Sequence, residues 1–149
     1  MTDRGERLTV ELEALALRAI RSTYGDLNAT FFKGQLNRPT LELGDATARL
    51  GRWVREHRRL ELSRALLIKY GWGALVEVLK HEMAHQFTDE VLAATDETAH
   101  GPTFQRVCAE RGFDARAVGA PVAAEGPVAH APILDRIAKL LALAGSPNE

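Results

Sequence analysis

The stretch "ALVEVLKHEMAHQF", residues 74–87, decides how the rest of this chain is interpreted. Its apolar residues recur every three to four positions, which predicts an α-helix. His81 and His85 are four positions apart, so on that helix their side chains lie on one face, one turn from each other. Met83, Ala84, Gln86 and Phe87, which flank His85, are uncharged, whereas a solvated helix would carry lysines and glutamates there. The pattern indicates two histidines in the middle of a largely buried helix.

Two imidazoles on one helical face form part of a metal site, and Glu82 adds a carboxylate beside it. Glu82 lies roughly 100° around the helix from His81, so it is placed to reach a water on the metal rather than the metal itself. A catalytic zinc ion takes three protein ligands and leaves one position to water, so a third ligand must come from elsewhere. His100 is the next histidine downstream of His85. The carboxylate alternatives are Asp96, Glu97 and Glu110.

The length, charge and cysteine content of the chain limit the classes of protein to which it can belong. A chain of 149 residues that is 46% hydrophobic and 26% charged has the size of one ordinary domain with a sizeable core. Its formal net charge of -1 provides no overall attraction to nucleic acid or to an anionic membrane. Cys108 is the single cysteine, which excludes an intrachain disulfide and a four-cysteine zinc ribbon and fits a reducing compartment.

The N-terminus mixes acidic and basic residues, and Arg18 interrupts its apolar run. It therefore has the pattern of neither a signal peptide nor a membrane span. We expect a cytoplasmic protein without a membrane partner.

Upstream of the histidines, the sequence predicts a long helix and a small sheet. From Thr9 to about Phe32 apolar residues recur at helical spacing, which predicts one helix or two joined near Gly25. The recurring positions are Leu12, Leu15, Ala19, Thr23, Leu27 and Phe31. The segments with β character are residues 40–43, 48–55 and 59–62, and their connections are short enough for antiparallel turns. The expected fold class is α+β.

Downstream, "HGPTFQRVCAERGF" (residues 100–113) predicts another helix, with Pro102 at its first position and Gly112 after its last turn. The following residues are rich in Ala, Gly and Pro and have no period, which is typical of a linker. An amphipathic pattern returns at the C-terminus. The chain is accordingly divided into a domain at residues 1–113, a linker at residues 114–132 and a C-terminal helix at residues 133–149.

A basic segment, "RLGRWVREHRRLELSR" (residues 49–64), holds six arginines and two glutamates. A strand with arginines and a tryptophan can bind single-stranded nucleic acid through phosphate contacts and base stacking. It can equally be a solvated strand edge protected by charge. The candidate nucleic-acid-binding or substrate-binding residues are Arg49, Arg52, Trp53 and Arg55. The candidates for a second donor to a reaction oxyanion are Arg52, His57 and Tyr70.

The motif "HEMAH", followed after a gap by "HGPTF", resembles the SprT-like metalloprotease family. "NATFFKGQL" (residues 28–36) and "LELSRALL" (residues 60–67) are similar to two further segments of that family. The resemblance covers about residues 10–113. The C-terminal "RIAKLLALAGSPNE" resembles the start of an uncharacterised bacterial helical domain.

The resemblance implies that His81, His85 and His100 bind Zn²⁺ and that Glu82 is the catalytic base. It also implies a zincin-like fold, in which a long helix and a small sheet back the metal helix and substrate lies along a sheet edge. The implied activity is that of a zinc-dependent endopeptidase acting on protein substrates, including proteins bound or crosslinked to DNA. The alternative hypothesis is a zinc-stabilised module that binds DNA or protein without proteolytic activity.

Overall fold

The computed structural model describes residues 2–46 and 48–116. Its helices and strands are α1 (Thr2–Phe31), β1 (Thr40–Gly44), β2 (Gly51–Val54), β3 (Arg59–Ser63), α2 (Trp72–Gln86) and α3 (Pro102–Arg111). The fold class is α+β, as predicted. The C-terminal helix expected at residues 133–149 lies outside the described residues, as does the linker beyond Arg116.

Helix α1 runs without interruption through Gly25, so the first of the two expected arrangements is the observed one. The predicted apolar stripe is only partly right. Within residues 10–31 of α1, the fully buried residues are Ala16, Ile20 and Tyr24, and Leu27 is 9% exposed. Ala19 and Thr23 lie at the margin of this face. Tyr24 takes the central position because its ring fills the core while its hydroxyl reaches a buried polar partner.

The three strands form a mixed sheet in the order β1-β3-β2. The connection after β1 was expected to be an antiparallel turn, and this expectation is wrong: β1 pairs with β3 in parallel, while β2 pairs with β3 antiparallel. Strand β3 carries Leu60 and Leu62, which are almost fully buried, so it takes the central position. Strand β2 carries the exposed Arg52, and a charged side chain is tolerated better on an edge.

Helix α2 packs against the sheet through a continuous apolar face. Leu75, Val78, Leu79 and Met83 are buried there, and they join the core with residues from α1, α3 and β3. Beyond α2 the chain continues through one wider helical turn, Phe87–Val91. This turn extends the helix axis toward the loop that carries His100.

The predicted limits of α3 are confirmed. Pro102 occupies the first turn, and Gly112 has a left-handed φ of 74° and donates its N–H to Ala109, a conformation that favours glycine after a helix. Phe104, Val107 and Cys108 form the buried face of α3. Among the described residues, no helix is both long and apolar enough to cross a membrane.

Candidate metal centre

Helix α2 brings two imidazoles to one place. His81 and His85 lie one turn apart, and their ring centroids are separated by 5.0 Å. His81 is only 3% exposed, while His85 is half-buried at the wall of a cleft. The helical periodicity read from the sequence is therefore sufficient to place these two side chains together.

The third imidazole comes from the loop before α3. The Nε2 atoms of His81 and His100 are 3.2 Å apart, and the His85 and His100 ring centroids are 4.9 Å apart. One nitrogen from each of the three histidines lies within 4.8 Å of the others. The three side chains, which we call the histidine triad, could hold a metal ion.

The chemistry of the donor set fits a cation. The Nδ1 atom of His81 lies 3.4 Å from the backbone carbonyl of Asp114. With its proton on Nδ1, His81 donates to that carbonyl and leaves the lone pair of Nε2 directed toward the triad, an arrangement common for histidines that bind metals. Burial lowers the pKa of His81, and it lowers the pKa of His85 to about 3, with repulsion from the other two histidines adding to the effect. Both rings are therefore neutral near pH 7, the form that can bind a metal.

Phe104 packs against all three rings of the triad. It stacks on His85 with ring centroids 4.1 Å apart and an angle of 13°, and it meets His81 and His100 edge-on. No role for Phe104 at the site was predicted from the sequence. The available signal was its place at the end of "HGPTF", close to His100 in the chain. Phe104 also lies on the buried face of α3.

Glu82 lies beside the triad and is 5% exposed. Burial raises the pKa of its carboxyl group to about 8, although a hydrogen bond from the backbone N–H of Trp53 and the positive charge of Arg49 both oppose that rise. A carboxyl group with such a raised pKa next to a cluster of metal-binding side chains is a typical candidate for a proton-transferring group.

Strand β2 approaches α2 closely at Gly51, next to Glu82. A Cβ atom at position 51 would lie 2.5 Å from Cγ1 of Val78 and 3.0 Å from Cγ of Glu82. Neither neighbour is the far end of a long flexible chain. The absence of a side chain at this position lets the strand lie directly against the carboxylate.

We therefore expect Gly51→Ala to lower the free energy of unfolding by about 1–3 kcal/mol, the usual cost of forcing an extra carbon into a packed site. Urea denaturation of the purified chain measures this. Gly73→Ala is the matched control, because nothing lies within 4 Å of a Cβ atom there. Equal stability changes in the two variants would contradict the tight approach of β2 to α2.

The triad and Glu82 line a cleft of about 520 Å³. All four predicted binding residues line it as well: Arg49, Arg52, Trp53 and Arg55. Trp53 donates its indole N–H to Asp89 at 2.8 Å, and Arg55 lies 3.8 Å from the same carboxylate. Arg49 and Arg52 make no hydrogen bond or ion pair with any other residue of the described ranges.

The alternatives for the third ligand are not supported. Within the part of the chain that the structure describes, the metal-type cluster consists of the three histidines. Glu97 turns both carboxylate oxygens toward Thr103, and Glu110 pairs with arginines on the outer surface of α3.

Of the candidate oxyanion donors, Arg52 lines the cleft, while His57 and Tyr70 are not among its lining residues.

A buried polar network around Gln86, the last residue of α2, was not predicted from the sequence. Gln86 is 0% exposed. It accepts a hydrogen bond from the Tyr24 hydroxyl at 2.7 Å and donates to the Asn37 carbonyl at 2.9 Å and to Glu90 at 3.0 Å. Arg58 donates to Glu90 and to the same carbonyl. The network fastens the end of the metal helix to α1 and to the turn before β3.

Fold and site together define a small α+β domain with a candidate metal centre formed by three histidines. The SprT-like family matches residues 20–122 of the chain, and the chain belongs to this family, as the sequence motifs indicated. Members of the family are generally associated with metallopeptidase activity. A comparison with curated proteins gave no match.

Proposed function

We propose that this chain is a zinc-dependent endopeptidase with a zincin-like fold. His81, His85 and His100 hold the Zn²⁺ ion and Glu82 is the catalytic base. The observation that carries the proposal is the buried carboxyl group of Glu82 beside three converging imidazoles at one wall of an open cleft. Catalytic zinc sites use three protein ligands and keep one position open, whereas structural sites use four.

The reaction requires a proton to be moved from water to a leaving amine. A zinc ion held by His81, His85 and His100 would acidify a water molecule, polarise a peptide carbonyl and favour the ionised form of Glu82 through its charge. Glu82 accepts the water proton as the new C–O bond forms at the scissile carbonyl. It then delivers that proton to the amide nitrogen as the C–N bond breaks.

The edge of β2 supports a polypeptide substrate. Among the described residues β2 pairs only with β3, and the N–H of Ser63 donates to the carbonyl of Leu50 just before β2. Because hydrogen-bonded pairs alternate along an antiparallel ladder, the peptide groups of Gly51 and Trp53 point away from β3 toward the cleft side, where the Trp53 N–H donates to Glu82. An extended peptide can pair with the other peptide groups of such an edge as a further strand.

Arg49 and Arg52, which have no hydrogen-bond or ion-pair partner among the described residues, extend the proposal to the substrate class. Both residues line the cleft beside β2, and guanidinium groups can bind acidic side chains of a substrate or the phosphates of DNA to which a substrate is attached. Proteins bound or crosslinked to DNA are therefore proposed as substrates, together with peptides free of DNA. A comparison of histone cleavage in the presence and absence of single-stranded DNA tests the DNA-linked role.

The proposal is tested by metal-dependent proteolysis. The purified chain is expected to cleave unfolded casein, to lose this activity in a chelator and to regain it when Zn²⁺ is restored. A chain that binds zinc and is stabilised by it, but cuts no substrate, would instead support the alternative of a zinc-stabilised DNA- or protein-binding module.

His100→Ala tests the ligand set directly. We expect this variant to lose stoichiometric zinc and all measurable casein cleavage, because two imidazoles provide only part of the coordination that zinc requires. Elemental analysis of the purified variant measures the zinc content. His57→Ala is the matched control, since His57 is exposed and does not line the cleft. Full zinc content in His100→Ala would remove His100 from the ligand set.

A further inference from the structure

The third histidine is held differently from the other two. His81 and His85 are carried by α2, whose apolar face is packed into the core. His100 is exposed and lies in a loop without regular structure between the turn that ends at Val91 and the start of α3. Its ring has the edge-on contact with Phe104, but no helix or strand holds its backbone, so the loop needs contacts of its own to stay in place.

Glu97 closes this loop. Its Oε1 atom accepts a hydrogen bond from the backbone N–H of Thr103 at 2.8 Å, and its Oε2 atom accepts one from the Thr103 hydroxyl at 2.7 Å. One carboxylate thus joins the residue three positions before His100 to the residue three positions after it. Hydrogen bonds to a charged acceptor are the stronger ones in proteins, so this clamp is well suited to an exposed segment.

Gly101 shows how tightly the clamp is closed. Its N–H donates to the Thr98 carbonyl at 3.0 Å, and a Cβ atom at this position would lie 3.0 Å from that carbonyl oxygen and 3.2 Å from both Cβ and Oε1 of Glu97. Gln105 adds a hydrogen bond from its side-chain amide to the His100 carbonyl at 3.1 Å. The backbone on both sides of His100 is thereby fixed.

We propose that Glu97 is a positioning residue that sets the metal affinity of the triad by holding the His100 loop closed onto α3. The inference rests on the proposed zinc site. Glu97 does not bind the metal itself, because both of its oxygens are directed to Thr103. Removal of the clamp leaves the three imidazoles present but lets His100 sample orientations away from His81 and His85, so that zinc binding must order the loop.

The experiment measures the zinc dissociation constant of the full chain by competition with a chromogenic chelator. Glu97→Ala is expected to weaken zinc binding roughly 10- to 100-fold, the range seen when a group that orients a metal ligand from outside the coordination sphere is removed. Glu97→Gln keeps an oxygen that accepts the Thr103 N–H, so it is expected to retain most of the affinity. The melting temperature of the metal-free protein is expected to be nearly unchanged in both variants, because the loop is exposed.

Asp96→Ala is the matched control, since it removes the same charge from the same exposed loop without touching the clamp. It is expected to bind zinc like the parent. The Co²⁺-substituted proteins give a second measurement: the visible absorption of tetrahedral Co²⁺ is expected to weaken in Glu97→Ala and to be preserved in Glu97→Gln and Asp96→Ala.

Three results would overturn the inference: parent-like affinity in Glu97→Ala, equal weakening in Asp96→Ala, or a Glu97→Gln variant as weak as Glu97→Ala. The second and third would show that charge rather than loop closure matters. A parent chain that fails to bind zinc contradicts the proposed function as well, so failure of the site and failure of the clamp are distinguishable.

Discussion

Replacing Glu82 with glutamine is expected to lower kcat/KM for an unfolded protein substrate by roughly 10²- to 10⁴-fold, while zinc stays bound. Glutamine has nearly the same shape and can still accept the N–H of Trp53, but it cannot take a proton from water. The three imidazoles are unchanged, so the metal content is expected to match that of the parent. Casein cleavage combined with elemental analysis of the same sample measures both effects.

Glu77→Gln is the matched control for this variant. Glu77 lies on the same helix, is exposed and pairs with Lys80 at the surface, so its replacement should leave cleavage unchanged. Parent-like cleavage by Glu82→Gln would refute the assignment of Glu82 as the base. Loss of zinc from Glu82→Gln would show instead that Glu82 supports the metal site itself.

The same substitution is expected to stabilise the metal-free protein above neutral pH. Burial raises the pKa of Glu82 from its ordinary value to about 8, so between these two values the folded state holds a proton that the unfolded state has released. Folding stability contributed by this group is therefore complete at low pH and is lost as the pH rises toward 8. A rise of this size corresponds to a free-energy difference on the order of 5 kcal/mol.

Urea denaturation of both proteins in a strong chelator at several pH values measures this difference. The two proteins are expected to be about equally stable near pH 5, and Glu82→Gln is expected to be more stable by a few kcal/mol near pH 9. His81 and His85, whose lowered pKa values reduce stability as the pH falls, are present in both proteins and cancel in the comparison. A stability difference independent of pH would contradict the raised pKa of Glu82.

The buried carboxyl group of Glu82 lowers the stability of the metal-free protein above neutral pH, and the same group is the proposed catalytic base. The carboxyl group is buried beside the triad, where its ionised form is disfavoured unless a cation lies nearby. An ionised carboxylate buried there would destabilise the metal-free protein, whereas a bound cation would stabilise its ionised form. The neutral amide of glutamine at position 82 removes both the loss of stability and the ability to transfer a proton.

The sequence indicated the parts of the site that depend on local periodicity. His81 and His85 were placed together because residues four apart on a helix share a face, and the limits of α3 followed from Pro102 and Gly112. The spacing of "HEMAH" and "HGPTF" identified the family, which the comparison confirmed.

Other features required the three-dimensional arrangement. The hydrophobic pattern of the sequence could not reveal that β3 lies between β1 and β2, because strand order depends on contacts between segments that are distant in the chain. The partners of Gln86 and of Glu82 come from α1 and β2, which are distant in the chain, and the raised pKa of Glu82 arises only when those elements exclude water.

By itself, the sequence determined the helices, the α+β class and the two histidines that one helical turn brings together, since these depend on interactions between near neighbours in the chain. It also identified the family, through the spacing of two short motifs. The resemblance implied His100 as the third ligand, but only the tertiary structure brings its ring beside the other two. It alone also joins Glu97 to Thr103 across the His100 loop and lays strand β2 against Glu82. These features depend on contacts between distant segments, and the free energy of such contacts is set by packing and exclusion of water rather than by local sequence.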